Sequence, residues 1–293
     1  MMRNTIISVF VFIFIGCACN HTPYVPTDVE DKTHNNNQNQ YNDDKPLLSE
    51  IKVLTYNIHF CNPPGQPGVC DIQGIANVIK QIDPDIVMLQ EVDVRTGYND
   101  CFLDQAEQIA KLTQLNYQFF VERTRGKGFF GNTILSKHPL KKPNTNFLVK
   151  FQPDYQQRIL ATIIVDLPGV DSIMVASTHL EVFSPENRHA QLDQILDILT
   201  PVTMPVIIAG DFNTRPTDRV FFDKFENYFT LTCSGESCPA SYYHETQHIT
   251  IDHIGFKPSS AFFVKSHDVL SQKNASDHYP VIGTLKFNRS AQP

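Results

Sequence analysis

From Ile51 to Phe287 the chain alternates short apolar runs with stretches of helical period, and many of the runs end on a polar residue. Segments 51–56, 86–90, 133–136, 158–165, 172–177, 206–209, 249–256 and 281–287 have the length and composition of strands. Segments 72–82, 104–115 and 185–199 carry apolar residues at helical spacing. The last opens on Ser184-Pro185, with Glu186 in its first turn. Leu167-Pro168-Gly169-Val170-Asp171 reads as a hairpin connection. No linker-like composition interrupts the span, so 49–293 is expected to form one α/β domain, two packed sheets of mixed strands flanked by helices. The chain has 293 residues, 41% apolar and 19% charged, which is enough for one large core. Its formal charge of -7 argues against a general nucleic-acid coat. It does not exclude a nuclease, because a bound cation supplies positive charge locally.

Ahead of the domain, Met1-Met2-Arg3-Asn4 precedes an apolar run from Ile6 to Ile15, broken only by Ser8. A basic start followed by about ten apolar residues is a signal peptide. The run is too short to cross ~30 Å of hydrocarbon, which needs ~20 residues. Phe14-Ile15-Gly16-Cys17 resembles a bacterial lipobox, with Cys17 as the lipidated residue. Cys19 fits less well, because Gly16 would then stand where a large apolar residue belongs. Ordinary secretory cleavage is the alternative. Residues 17–48 are polar around Asn35-Asn36-Asn37-Gln38-Asn39-Gln40 and read as a disordered tether. The expectation is a lipoprotein signal peptide over 1–16, a tether over 17–48 and a monomeric domain over 49–293. Such a chain is exported and held on the membrane of a bacterial cell envelope.

Seven cysteines suit export. Cys61–Cys70 and Cys233–Cys238 each bracket a Gly- or Pro-containing loop, so two local disulfides are expected, with Cys101 left over and buried. Zinc is the weaker reading, since neither pair has the two-residue knuckle of structural zinc sites.

The chemistry stands at the strand ends. Asn57 follows the first run and Glu91 the second. His179 follows Ser177-Thr178, and Asp211 and Asn213 lie in Gly210-Asp211-Phe212-Asn213. Asp252 sits in Ile251-Asp252-His253, and Asp277-His278 precede the last run. Each alone has an ordinary reading: a turn or cap for Asp211 and Asn213, a solvated carboxylate for Glu91, a structural imidazole for His179. The ordinary readings do not explain why four acids, two amides and two histidines recur at strand ends, where helix-covered sheets open their clefts.

Gly210-Asp211-Phe212-Asn213 and Ser276-Asp277-His278, in this order after Asn57 and Gln90-Glu91, resemble the endonuclease/exonuclease/phosphatase superfamily, the DNase I-like metallohydrolases. The resemblance runs over roughly 51–287. It implies a four-layer α/β sandwich and hydrolysis of phosphate esters with a divalent cation, usually magnesium, with manganese as a substitute. On this resemblance Glu91 is the main metal ligand, Asn57 adds an amide oxygen or a contact to bound water, and Asp277 lies beside the metal. Magnesium's preference for oxygen ligands and few carboxylates agrees. His278 takes a proton from the attacking water, with Asp252 orienting its ring. Asp211 and Asn213 position water and a phosphate oxygen, and His179 donates to the developing charge. The superfamily leaves the base open between His278 and Asp211. Asn132 in Gly131-Asn132-Thr133 matches a further motif lining the phosphate pocket. Arg158 and Arg188 are candidates to reach the cleft, against an even chance of ordinary ion pairs.

The substrate is left to the loops, here 61–70, 93–102, 122–130 and 234–248. Tyr242-Tyr243-His244-Glu245 and the absence of Trp depart from the inositol-phosphatase branch. Arg123-Thr124-Arg125-Gly126-Lys127 is the only short basic cluster, so long DNA is disfavoured. Phospholipid head groups lead narrowly, a nuclease on DNA or RNA is the alternative, and a non-catalytic protein binding phosphorylated ligands is the reading from another class.

Overall fold

Period-two alternation decides the layers. In β1 (Glu50–Asn57) Ile51 and Val53 join one core while Leu54 and Tyr56 join another. In β8 (Val206–Asp211) Ile207 and Ala209 share the core of Ile51, and Ile208 faces a third. Strands buried on both faces must be covered on both faces. The structure, a computed structural model, describes residues 45–169, 171–244, 246–271 and 274–289. The signal peptide, Cys17 and nearly all of the tether expected from the sequence lie outside the described residues.

One six-stranded sheet has the order β13 (Phe262–Val269), β14 (Val281–Phe287), β1, β2 (Ile86–Val94), β4 (Gly128–Ser136), β3 (Asn116–Arg125). The other runs β5 (Leu140–Phe147), β6 (Ile159–Leu167), β7 (Asp171–His179), β8, β12 (Asp252–Lys257), β9 (Thr230–Leu231). A small ribbon pairs β10 (Tyr242–His244) with β11 (Gln247–Ile249). The central core lies between the sheets, with Met88 and Ile134 from the first and Ile163 and Val175 from the second. Helices α1 (Ile72–Ile82) and α2 (Gln105–Thr113) cover the first sheet through Ile75, Ile79 and Ile109. Helices α3 (Pro185–Leu199) and α4 (Arg219–Glu226) cover the second through Leu192, Ile195 and Phe225. This is the four-layer sandwich read from the sequence.

Each helix starts on a side-chain cap, worth about 1 kcal/mol apiece. Asp71, Asp104, Ser184 and Asp218 accept from the backbone N–H three residues on. The hairpin at 167–171 forms as expected, Leu167 pairing with Asp171. The apolar pattern of the sequence does not mark β3, β5, β9, β10, β13 and α4. Segment 122–130, expected to be a substrate loop, is the tip of the β3–β4 hairpin. Segment 249–256 divides into β11 and β12.

One disulfide is corrected. Cys233–Cys238 forms as expected, but Cys70 joins Cys101 and Cys61 keeps a buried thiol. The cause is local. His59, Phe60 and Cys61 all take positive φ in a tight turn after β1, and Cys61 packs in the core beneath α1 and α2. Residue 70 returns beside the start of α2, where the Gln105 amide reaches both sulfurs. Losing this cross-link is expected to lower stability by roughly 2–4 kcal/mol. Chemical denaturation of Cys70→Ser with Cys101→Ser, against Cys61→Ala, measures it. A larger loss in Cys61→Ala than in the double variant contradicts the pairing.

Candidate active site

β1 and β2 run parallel, as do β7 and β8, and all four deliver their last residues to one end of the sandwich. There the inter-sheet core changes from apolar to polar. Gln90, one register step above Met88, reaches across to Ser177 of β7 at 3.3 Å instead of packing in hydrocarbon. Asn57, His179 and Asp211 are the next residues up, all buried.

Asp211 is the hub. Its Oδ2 accepts from Asn57 Nδ2 at 3.1 Å, and His179 Nε2 and His278 Nε2 stand 3.5 and 3.6 Å away. Its Oδ1 accepts from the Asn213 N–H at 2.9 Å. Gly210 permits this placement: a Cβ there would stand 1.9 Å from the Thr178 carbonyl oxygen. Asn213 turns back at φ 49, and its side chain donates to the Leu180 carbonyl at 2.9 Å. The Gly-Asp-x-Asn run is therefore a backbone device that aims one carboxylate between the sheets.

His278 faces Asp211 with one nitrogen and is held by the other, Nδ1 lying 2.8 Å from Asp252 Oδ2. Ser276 fixes the approach of this segment, donating to the Asn57 carbonyl at 2.8 Å and accepting from the His278 N–H at 3.2 Å. Burial alone would lower the imidazole's pKa. The carboxylates of Asp252 and Asp211 outweigh it and hold the pKa up, at about 10. Burial and then the charge of Asp252 push Asp211 up to about 7. Asp252, His278 and Asp211 thus act as one proton-holding unit. His179 lies well below the usual imidazole range, from burial and then the cations Arg158 and His278. It is a neutral N–H donor, and its Nδ1 has no partner among the described residues.

Glu91 sits on a β-bulge, where the β2–β4 register shifts between Leu89 and Val92, and it takes φ 56. Bulges re-aim side chains in this way. Its Oε1 accepts from Asn57 Nδ2 at 3.1 Å. The Asn57 amide oxygen accepts the His59 N–H at 3.1 Å, and its amino group bridges two carboxylates. Asp277 is partly exposed, 3.9 Å from His59 Nδ1. The Tyr242 phenol is raised by burial and then by the charges of Asp277, Asp211 and Glu91. Asp211, Asp252 and His278 also bring one ligand atom each within 4.8 Å of one another. Such a concentration of hard oxygen donors fits a divalent cation. Glu91 and Asp277, with Asp211 behind them, would hold it, leaving Asp252 and His278 to the proton.

Asn132 is buried opposite the bulge, with neither polar side-chain atom partnered among the described residues. A phosphate oxygen would satisfy it. Arg158 is buried, and its Nη1 is 3.4 Å from Glu122 Oε1. Arg188, also buried, lies in the first turn of α3. Its guanidinium donates to the carbonyls of Glu181 and Val182 at 3.0 and 2.9 Å, bracing the loop after His179. Two residues escaped the sequence reading. Glu122 is fully buried, and burial raises its carboxyl to about 7 against the pull of Arg158. Its signal was the alternation Phe120, Glu122 in β3. Tyr242 lays its ring against the His278 imidazole, centroids 4.8 Å apart. Nothing in its sequence neighbourhood announced that contact.

Comparison with known proteins agrees with this fold. The model of the Endonuclease/Exonuclease/phosphatase family matches residues 54–278. No curated protein gives a significant match. Among solved structures, an endonuclease/exonuclease/phosphatase from Beutenbergia cavernae is similar at 25% identity and a TM-score of 0.68, covering 82% of this chain and 72% of that one. One from Bacteroides vulgatus is similar at 16% identity and a TM-score of 0.67, covering 82% and 100%. A mannosyl-6-phosphatase from Bacteroides thetaiotaomicron is similar at 18% identity and a TM-score of 0.60, covering 81% and 100%. The last two show shared fold alone.

Proposed function

The chain belongs to the endonuclease/exonuclease/phosphatase family, and from that premise we propose a magnesium-dependent phosphoric ester hydrolase that works outside the cytoplasm. The observation that carries the reading is the His278–Asp252 pair facing Asp211 across 3.6 Å, with Glu91 tied to the same carboxylate through Asn57. A binding protein has no use for a proton-holding unit in its cleft.

The residues divide the work. Asp211 takes the proton that water releases as it attacks phosphorus, while His278, held as the imidazolium by Asp252, faces that carboxylate with Nε2 and shares its proton with it. Asn213 keeps the Asp211 carboxylate oriented through its backbone N–H. The neutral His179 donates to a phosphoryl oxygen, with Arg158 and Asn132 on the same oxygens. A bound divalent cation supplies charge for the phosphoryl and leaving oxygens. Magnesium is favoured over zinc because the donors are carboxylates.

Long nucleic acid is the weaker substrate. The sole short basic cluster is used internally: Arg125 stacks on Tyr98 and Phe60 at 3.8 and 4.5 Å and pairs with Asp93, and Arg123 lies over Phe130. Backbone binding needs several free cations in a row. Purified protein assayed against phosphomonoesters, phosphodiesters, phospholipids and oligonucleotides, with magnesium and with chelator, tests the reading. Turnover in chelator equal to that in magnesium contradicts it.

Export through a lipidated Cys17 belongs to the same proposal. It is supported by the apolar run before Cys17 and by two disulfides, which persist in oxidising compartments. Cys17→Ala is expected to shift the protein from the membrane fraction to the aqueous one. Full membrane retention with Cys19 also replaced rules the anchor out.

A further inference from the structure

The large apolar side chains left exposed are not spread evenly. Most of those described cluster on loops at the cleft end of the sandwich. One bank comes from the first sheet. Tyr98, Phe102 and Leu103, 47%, 59% and 53% exposed, project from the connection between β2 and α2. This loop is built, not slack. The Arg95 N–H donates to the Leu103 carbonyl, Gly97 to that of Cys101, and Lys127 to that of Thr96. Gly97, at φ 75, leaves room for the Phe102 ring: a Cβ there would stand 2.6 Å from it. The other bank comes from the second sheet. Val182 and Phe183, the latter 79% exposed, precede α3, and Phe151 is fastened to the first turn of α3 by Asn187 at 2.6 Å. Both loops continue strands that deliver Glu91 and His179 to the cleft.

Isolated exposed apolar residues mean little, but sets of them on both sides of a hydrolytic cleft mark an interaction surface. We propose that this end of the domain docks on a phospholipid bilayer. Phe102 and Leu103 from one bank and Val182 and Phe183 from the other enter the interface, and the cleft between them meets lipid phosphate esters. The choice of occupant follows from geometry and charge. A protein seated on both banks would close the mouth of the cleft, whereas a bilayer presents substrate to it. Exposed Arg95 and Lys127 flank the first bank, against the exposed Asp100, in a chain of net charge -7. Aromatic and aliphatic tips beside snorkelling cations match the headgroup boundary, where apolar groups sink ~5–10 Å. The substrate half of this inference rests on the phosphoesterase reading; the docking half does not.

The chain contains no Trp, so one introduced Trp reports its own site regardless of the N-terminus. Phe102→Trp, Phe183→Trp and, should either fail to fold, Leu103→Trp are mixed with phosphatidylcholine–phosphatidylglycerol vesicles carrying brominated acyl chains. Phe263→Trp is the control, since Phe263 is 58% exposed on β13 opposite Lys286, at the far end of the domain. Blue shift and bromine quenching are expected at positions 102 and 183 and not at 263. Equal shifts at all three, or none in protein that pellets with the vesicles, overturn the docking. A concentration-dependent blue shift without lipid overturns it in favour of a second copy on this face. Phe102→Asp with Phe183→Asp should lower vesicle partitioning about tenfold or more, since each buried Phe is worth about a decade or two of affinity. The same variant should lose vesicle-phospholipid turnover in proportion while hydrolysing a soluble diester at the wild-type rate. Soluble-diester turnover with no phospholipid turnover overturns the lipid substrate alone. Vesicle docking with no turnover of any ester overturns the phosphoesterase reading alone.

Discussion

His278→Ala is expected to lower turnover by about 10²–10⁴, the range of a general acid–base group, while changing ligand affinity little. The imidazole is fixed by Asp252 at Nδ1 and presents Nε2 to Asp211, so it has no other hydrogen-bonding duty that the mutation would release. Its loss leaves Glu91, Asp277 and Asn132 in place, and with them the cation and most phosphate contacts. Asp252→Asn should fall on the same step, because the amide cannot support an imidazolium. The double variant should lose less than the two singles combined, since ring and carboxylate act as a unit. Single-turnover hydrolysis beside equilibrium binding of a non-hydrolysable analogue separates the two effects. Unchanged hydrolysis in His278→Ala removes this residue from the chemistry. A protein that only binds phosphorylated ligands predicts the opposite pattern, weaker capture in both variants and no turnover to lose.

Much of this site is legible in the sequence because its residues interrupt apolar strands. A buried strand that ends on Asn57, Glu91, His179 or Asp211 leaves a polar group where the core closes, and the register brings these ends together. What stays illegible depends on partners distant in sequence. Glu122 looks like a solvated carboxylate until Arg158, from the other sheet, is packed against it. Strand β5 carries Lys141, Lys142 and Pro143 because it is an edge, and edge strands lack the apolar pattern of central ones. The Cys70–Cys101 pair depends on how the loop after β1 turns, and three consecutive left-handed residues are not written in composition. The contact at Asn57 is hidden for a similar reason: the turn that follows it supplies the N–H that its oxygen accepts.

Glu91→Gln is expected to lower magnesium-dependent turnover by about 10²–10³, the loss of the several kcal/mol typical of charge stabilisation at a phosphoryl oxygen. Glutamine keeps the volume and one oxygen for the Asn57 amino group but removes the charge, so the fold should persist. A second substitution separates site from scaffold. At φ 56 on a bulge, Glu91 occupies a conformation that costs an L-residue roughly 1–2 kcal/mol and a glycine almost nothing. Glu91→Gly should therefore be as stable as the wild type or more so, yet equally inactive. Strained residues persist where the surrounding structure forces them, and they mark function when relieving the strain costs activity. Thermal unfolding and a magnesium titration of both variants decide the matter. Wild-type-like activity in Glu91→Gln at limiting magnesium removes Glu91 from the metal site. A large stability loss in Glu91→Gly makes the bulge structural, with its carboxylate incidental.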